Sequence, residues 1–318
     1  MTLLDVWYVA PLRRCNFKCS YCVCNQPKIL DSNEWHREGD LKNHLAVMKW
    51  ISRLPYKIRL RLSTAGEPFV SKDFLNSVAN LSHAENLEFI EILTNGSYTK
   101  DQFEKFISSS RPDKLSLWMT YHPQEISLEK FLESAILAKD LKVPVVVHAL
   151  LFPDSVESTK IMQEKCVLNG IPFHLGLGLN VNNVYQGMGP VPAATDNNIP
   201  SDVLAMNVAF PQLVYQVAEK PMGAMCSAGH DYIYINSRAE VFQCNTYSAK
   251  LPVFKMGTPV DLNFKLSLRK EKYSQCLSKH ACRCVEDYQH LQVAAMDQTR
   301  LIKNFIPKSH EEIELQNS

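Results

Sequence analysis

Cys15, Cys19 and Cys22 stand in a CxxxCxxC spacing directly after the apolar segment Val6–Pro11. A structural zinc site closes a tetrahedron with four protein ligands. A [4Fe–4S] cluster held by three thiolates instead leaves one iron open to a further ligand. Cys22-Val23-Cys24 offers a fourth thiol, so a zinc knuckle is the alternative reading; otherwise Cys24 is a packed neighbour. A second thiol group, Cys226, Cys244, Cys276, Cys282 and Cys284, lies far along the chain. Its first two members flank Tyr232–Ile235, a polar turn at Asn236–Ala239, and Val241-Phe242, the pattern of a β-hairpin that brings its end cysteines together. Two of Cys276, Cys282 and Cys284 would complete a four-thiolate set, for one further cluster or for structural zinc.

The elements that must position these groups alternate. Strand patterns at Val6–Pro11, Ile58–Ser63, Leu87–Leu93, Leu115–Thr120, Val143–Leu151 and Pro172–Leu177 are separated by helical stripes. One stripe is Leu41, Leu45, Met48, Ile51 and Leu54, and another is Phe131, Ala135, Leu137 and Leu141. Repeated βα units imply an α/β fold with a parallel sheet, whose chemistry sits at the carboxyl ends of the strands. Periodicity alone admits either a barrel or a doubly wound sheet. Asn180–Asp202 reads as a connector, Val203–Val217 as a helix, and Leu291–Ser318 as a helix fraying into a polar tail. Expected divisions are therefore 1–179, 180–225, 226–290 and 291–318.

Composition narrows the class. The 318 residues are 46% hydrophobic and 21% charged, enough for a large core. With 34 basic against 33 acidic residues the formal charge is +1, which gives no electrostatic reason to expect nucleic acid or a membrane surface as partner. Neither a secretion signal nor a membrane-length apolar run is present, so a cytoplasmic location is expected. Of ten cysteines, four lie between Cys15 and Cys24 and five between Cys226 and Cys284, a distribution that favours metal ligation over disulfides.

The CxxxCxxC run, with Tyr21 before its last cysteine, resembles the signature of the radical SAM superfamily. That resemblance implies a partial (β/α)6 TIM-like barrel, with Cys15, Cys19 and Cys22 holding a [4Fe–4S] cluster whose open iron is chelated by S-adenosylmethionine. Ala65-Gly66-Glu67-Pro68, after the second strand, resembles the family's GGEP segment, which binds the amino group of that cofactor; Ala65 replaces the first glycine. Thr94-Asn95-Gly96 resembles a frequent TNG segment, which adds Asn95 to the cofactor contacts. Tyr21, Ser116 and Thr120 are assigned to the same cofactor by position. The hairpin with its cysteines resembles the start of a SPASM or twitch module, which implies one auxiliary [4Fe–4S] cluster ligated from Cys226, Cys244, Cys276, Cys282 and Cys284. The glycine usual in that turn is missing, with Arg238-Ala239-Glu240 in its place.

The implied reaction is reductive cleavage of S-adenosylmethionine and hydrogen-atom abstraction from substrate, fed by a one-electron donor such as flavodoxin or ferredoxin. An auxiliary cluster favours net oxidation, and a base would then be needed: His122, Tyr121 and Asp231 are the candidates, ahead of His148 and His174. Only fourteen residues precede Cys15, which tilts the expected substrate toward a small polar metabolite, such as a sugar, cyclitol or amino-acid derivative. The alternatives are a peptide maturase, an epimerase or cross-linking enzyme with Cys24, Cys166 or a leftover thiol as hydrogen donor, and a noncatalytic zinc-binding interaction protein.

Overall fold

A computed structural model describes residues 2–22, 34–152, 155–177, 222–223, 225–250 and 255–279. The expected helix Val203–Val217, the connector before it, Cys24, Cys282, Cys284 and the tail lie outside the described residues. Six parallel strands carry the fold: β1 (Leu3–Ala10), β2 (Lys57–Thr64), β3 (Leu87–Thr94), β4 (Leu115–Tyr121), β5 (Val145–Leu151) and β6 (Phe173–Leu177). Between them run α1 (Asp40–Ile51), α2 (Lys72–Ser82), α3 (Lys100–Ser108), α4 (Leu128–Asp140) and α5 (Val156–Leu168). Ser71, Thr99 and Ser127 cap α2, α3 and α4, each hydroxyl accepting a first-turn N–H.

The sheet runs on past β1. A short β7 (Met225–Cys226) precedes β8 (Tyr232–Ile235) and β9 (Val241–Phe242), followed by α6 (Asn245–Lys250), β10 (Lys255–Gly257) and β11 (Ser274–Gln275). β8 and β9 form the expected antiparallel hairpin, and β8 also pairs in parallel with β1, Trp7 opposite Tyr234. One nine-stranded sheet results, in the order β10-β9-β8-β1-β2-β3-β4-β5-β6. The α/β fold matches the TIM-like partial barrel of the radical SAM resemblance. No helix among the described residues is long and apolar enough to cross a membrane.

Each strand presents its two faces to different surroundings. Leu4, Val6, Tyr8 and Ala10 of β1, Ile58, Leu60 and Leu62 of β2, and Leu115, Leu117 and Met119 of β4 pack under the helices in one core. The opposite face carries Asp5, Trp7, Arg59, Arg61, Glu91, Ser116, Trp118, Thr120, His148 and His174, and forms the lumen side of the partial barrel.

The stripe expected on α1 is rotated by one position. His44, Val47, Met48 and Ile51 are buried, while Leu45 is 47% exposed. A histidine can occupy the core here because both ring nitrogens are satisfied, Nδ1 by the Tyr8 hydroxyl at 3.1 Å and Nε2 by Ser77 Oγ at 2.7 Å. Burial holds its pKa down at about 3. On α4, Phe131 and Ala135 are buried as expected, with Leu137 and Leu141 at the edge of the contact.

Lys142 ends α4 in the left-handed region at φ 63°, and the Val143 N–H closes the helix on the Ala138 carbonyl at 3.0 Å. A lysine is strained there and glycine is not. Lys142→Gly is therefore expected to stabilise the fold by about 0.5 to 1 kcal/mol, read as a higher urea midpoint with an unchanged slope.

Candidate active site

All six parallel strands end on one edge, and the cysteine loop leaves β1 at that edge. Two backbone bonds hold its first residues against the turn after β2. The Gly66 N–H donates to the Leu12 carbonyl at 3.1 Å and the Glu67 N–H to the Arg14 carbonyl at 2.8 Å. The approach is so close that a Cβ on Gly66 would lie 2.1 Å from the Arg14 oxygen. Glycine is thus required by packing against the residues just before Cys15.

The loop is also tied to β3 and β4. Asn16 donates to Ser97 Oγ at 2.8 Å and accepts from Asn95 Nδ2 at 3.1 Å. The Lys18 N–H donates to Glu125 at 3.0 Å, and Ser20 Oγ to Gln124 at 3.0 Å. His122 Nδ1 lies 2.8 Å from the Tyr21 hydroxyl and 3.4 Å from Cys19 Sγ, and its ring contacts those of Phe17 and Tyr21. Tyr21 packs in turn on Phe152 beyond β5.

Three thiols are gathered by these contacts. Burial, followed by neighbouring charge, pushes Cys15 up to about 11 and Cys19 up to about 12; the Cys22 thiol contributes to both shifts. Thiols so placed stay protonated at neutral pH until a cation arrives, and metal ligation is the usual way to deprotonate them. The donor set fits a cluster held by three cysteines, although among the described residues no group of three ligands is closed up around a metal-sized point.

Glu67 does not face that site with its carboxylate. It is 2% exposed and turned inward, where Oε1 accepts from Thr94 Oγ1 at 2.6 Å and the Phe69 N–H at 3.1 Å, and Oε2 from the Asn95 N–H at 2.7 Å. Its side chain locks the ends of β2 and β3 together, while the backbone N–H groups of Gly66 and Glu67 face the loop. Asn95 is similarly engaged, since its Oδ1 accepts from both the N–H and the hydroxyl of Ser97.

The candidate bases are redistributed. Tyr121 points into the helix layer and packs on Phe131 at 5.2 Å, because odd-numbered residues of β4 face outward. Asp231 precedes β8, and its carbonyl accepts from the Asp5 N–H at 2.8 Å. Parallel pairing with β1 puts it at the amino edge of the sheet, opposite the cysteine loop, so neither residue can serve the site. His122 does stand at the carboxyl edge, but it is committed to Tyr21 and the cysteine loop, with burial lowering its pKa to about 4. Cys166, weighed as a hydrogen donor, is buried on α5 beside Met162, on the outer side of the sheet.

The lumen face sets three residues that sequence reasoning passed over, Arg61, Glu91 and Trp118, beside Thr120, His148 and His174, which it had named. Arg61 pairs with Glu91 at 3.2 Å, and its guanidinium lies 4.7 Å from the centre of Trp118 and 5.9 Å from that of Trp7. Thr120 Oγ1 is 3.2 Å from His148 Nδ1, and Trp118 contacts His148 and His174. Burial, then Arg61 and His122, lowers His148 to about 3. The signal for Arg61 was legible as charge alternating with apolar residues in Lys57-Ile-Arg-Leu-Arg-Leu-Ser. Of the two residues assigned to cofactor on this strand, Thr120 is next to last in β4, while Ser116 is second and lies deeper.

The second thiol group assembles at the other edge. Cys226 and Cys244 pack, as do Trp7 and Val9, against the cluster of Ala228, Tyr232 and Tyr234, and β11 pairs Ser274 with Cys226. Tyr247 lies beside Cys226, Cys244 and Cys276, whose charges, with burial as the larger cause, push its pKa up to about 12. The turn lacking glycine places Ala239 in the left-handed region at φ 59°.

Comparison with known proteins agrees with this geometry. Residues 9–163 match the model of the radical SAM superfamily. A GTP 3′,8-cyclase of Staphylococcus carnosus is 32% identical over 103 residues, covering 29% of this chain and 27% of that protein. One from Campylobacter lari is 30% identical over 104 residues, covering 31% and 30%. The chain thus matches less than a third of the length of these curated relatives. In fold it is similar to native anSMEcpe with bound AdoMet and Cp18Cys peptide, at 15% identity and a TM-score of 0.55, covering 99% of this chain and 98% of that one. It is also similar to Streptococcus suis SuiB bound to precursor peptide SuiA, at 12% identity and a TM-score of 0.50, covering 85% and 63%. The cysteine loop braced on four strand ends thus lies within a radical SAM domain, matched over residues 9–163 from the end of β1 into α5.

Proposed function

We propose that this enzyme oxidises a small polar metabolite, such as a sugar, cyclitol or amino-acid derivative, after hydrogen-atom abstraction. The radical SAM domain at residues 9–163 supports binding of S-adenosylmethionine and a [4Fe–4S] cluster, which together would supply a 5′-deoxyadenosyl radical on reduction. Cys15, Cys19 and Cys22 would hold the cluster, and the backbone of Ala65–Pro68 would meet the cofactor's amino group. Tyr21 and Thr120 stand at the same edge, while His122 orients the loop through Tyr21 and Cys19. A protein electron donor of the flavodoxin or ferredoxin kind would deliver the reducing electron.

The observation that carries the oxidative reading is the second thiol group. The Tyr247 N–H donates to Cys244 Sγ at 3.4 Å, and the Tyr247 hydroxyl accepts from the N–H of Leu277, next to Cys276, at 3.1 Å. β11 brings Ser274 opposite Cys226, and together these contacts support an auxiliary cluster with Cys282 or Cys284 as its fourth ligand. Cys226 and Cys244 pack on the same Ala228–Tyr232–Tyr234 cluster as Trp7 of the lumen face, a location suited to taking an electron from a substrate radical. A second reading, peptide modification, draws on the fold neighbours that bind peptides. Here the position of Cys166 removes one of the hydrogen donors it could have used.

Anaerobic reconstitution tests the proposal. Wild type is expected to hold about eight irons and Cys226→Ala/Cys244→Ala about four, with the variant still forming 5′-deoxyadenosine under reductant. Loss of two hydrogens from a small-molecule substrate, and not from a peptide, is the expected product signature. Zinc in place of iron, without cleavage, would leave a structural metal protein.

A further inference from the structure

Two side chains aim hydrogen-bonding atoms at the sulfur of Cys19. The Tyr21 hydroxyl hydrogen-bonds Cys19 Sγ, and His122 Nδ1 lies 3.4 Å from that sulfur and 2.8 Å from the Tyr21 oxygen. The three atoms close a triangle. Cys15 differs, its sulfur taking the Phe17 N–H at 3.4 Å, a main-chain contact.

Packing holds the triangle in place. The Tyr21 ring lies nearly parallel to that of His122, at 5.9 Å and 14°, and rests on Phe152 at 4.8 Å, while Phe17 meets His122 in a T-shaped contact at 6.0 Å. Cys19 is 4% exposed, so water competes little for its sulfur, and a hydrogen bond made there is strengthened by the low local dielectric.

Ligation changes what this sulfur can do. A free thiol carries its own proton, whereas a metal-bound thiolate carries none and only accepts. The single hydroxyl proton of Tyr21 can point at the sulfur or at Nδ1. With a proton on Nδ1, the imidazole donates to the Tyr21 oxygen and leaves the hydroxyl proton for the sulfur. Hydrogen bonds to ligand sulfurs stabilise the negative charge that reduction adds, and so help to set the potential of an iron–sulfur cluster.

We propose that Tyr21 and His122 form a hydrogen-bond relay onto Cys19, Nδ1–H to Tyr21 Oη and Oη–H to Sγ, that makes the radical cluster easier to reduce. The inference rests on the radical reading above and gives the Tyr21 hydroxyl to the cluster sulfur, not to S-adenosylmethionine. One electron enters from the flavodoxin-like or ferredoxin-like donor, and no proton leaves Tyr21 or His122. His122 acts through Tyr21 and is a positioning residue.

Potentiometric titration of the reconstituted full chain, followed by electron paramagnetic resonance, tests the relay. The radical cluster's signal is the one absent from a Cys15/Cys19/Cys22→Ala variant. Tyr21→Phe keeps the ring and removes the hydroxyl. It is expected to hold wild-type iron and to lower the reduction equilibrium constant about tenfold, a shift of about 59 mV to more negative potential for one electron. His122→Phe should lower it about threefold, and His122→Asn, whose amide donates from near the Nδ1 position, should restore most of that loss. Tyr21→Phe/His122→Phe should match Tyr21→Phe alone, because the second residue acts through the first. An unmoved potential in Tyr21→Phe, a double variant shifted by the sum of the single effects, or loss of iron from Tyr21→Phe would overturn the relay. An unmoved potential with weakened S-adenosylmethionine binding would in addition return Tyr21 to the cofactor. Wild-type iron and 5′-deoxyadenosine formation beside an unmoved potential removes only the relay, whereas wild type without iron or cleavage removes the radical reading itself.

Discussion

Gly66→Ala is expected to empty the radical cluster while leaving all three of its cysteines in the sequence. The added methyl would lie 2.1 Å from the Arg14 oxygen and 2.6 Å from the carbonyl carbons of Arg13 and Arg14, so main chain must move. No side-chain rotation can relieve that overlap, because the atoms in the way are backbone. The two bonds pinning this stretch, Gly66 to Leu12 and Glu67 to Arg14, would be strained with it, and Cys15 is the next residue. A shift of about 1 Å at a reacting centre is worth about a hundredfold in rate. Formation of 5′-deoxyadenosine should therefore fall about a hundredfold or more, with iron dropping toward the content of a Cys15/Cys19/Cys22→Ala variant. Ala65→Gly, which restores the glycine of the family's segment without adding an atom, should leave both unchanged. Wild-type iron and cleavage in Gly66→Ala would show that the turn does not position the loop.

Glu67 carries the second large effect. Removing its carboxylate by Glu67→Ala strands the Phe69 and Asn95 N–H groups and the Thr94 hydroxyl in the interior, at about 1 to 3 kcal/mol each before relaxation. Destabilisation of about 3 kcal/mol or more is expected from urea unfolding of the apo-protein. A pH effect of definite sign accompanies it. Burial raises the pKa of Glu67 from 4.5 to about 7, against the pull of its three donors. The folded state then binds the proton more tightly than the unfolded chain, so this group favours folding most below about pH 4.5 and progressively less as pH rises through 7. The shift corresponds to about 3 kcal/mol at full development. Relative to Glu67→Gln, which does not titrate, wild type should lose stability between pH 5 and pH 8. A difference between the two proteins that stays flat or grows over that range would mean that the three donors outweigh burial.

The chemistry of the first site was legible in the chain because it rests on local spacing. Cys15, Cys19 and Cys22, the Ala65–Pro68 turn and the β8–β9 hairpin are each set by residues within one or two turns of each other, as are the six βα units. Periodicity reports faces relative to the chain and not relative to the molecule, so it rotated the α1 stripe past a histidine whose partners, Tyr8 and Ser77, come from other elements. The same limit governed the bases. Tyr121, His122 and Asp231 shared the right residue types, and only strand parity, loop docking and the parallel pairing of β8 with β1 sent one outward, one to the cysteine loop and one to the opposite edge.

Spacing and periodicity by themselves determined the α/β architecture and the existence of two thiol groups, and the CxxxCxxC run carried the resemblance to the radical SAM superfamily, since each is encoded by short-range pattern. Tertiary structure decided that Gly66 is fixed by the backbone before Cys15 and that Glu67 is a buried brace. It also decided that Arg61, Glu91, Ser116, Trp118 and His148 share one lumen face. These last relationships join residues from four different strands, and burial and charge pairing arise only once parallel registers bring the strands side by side.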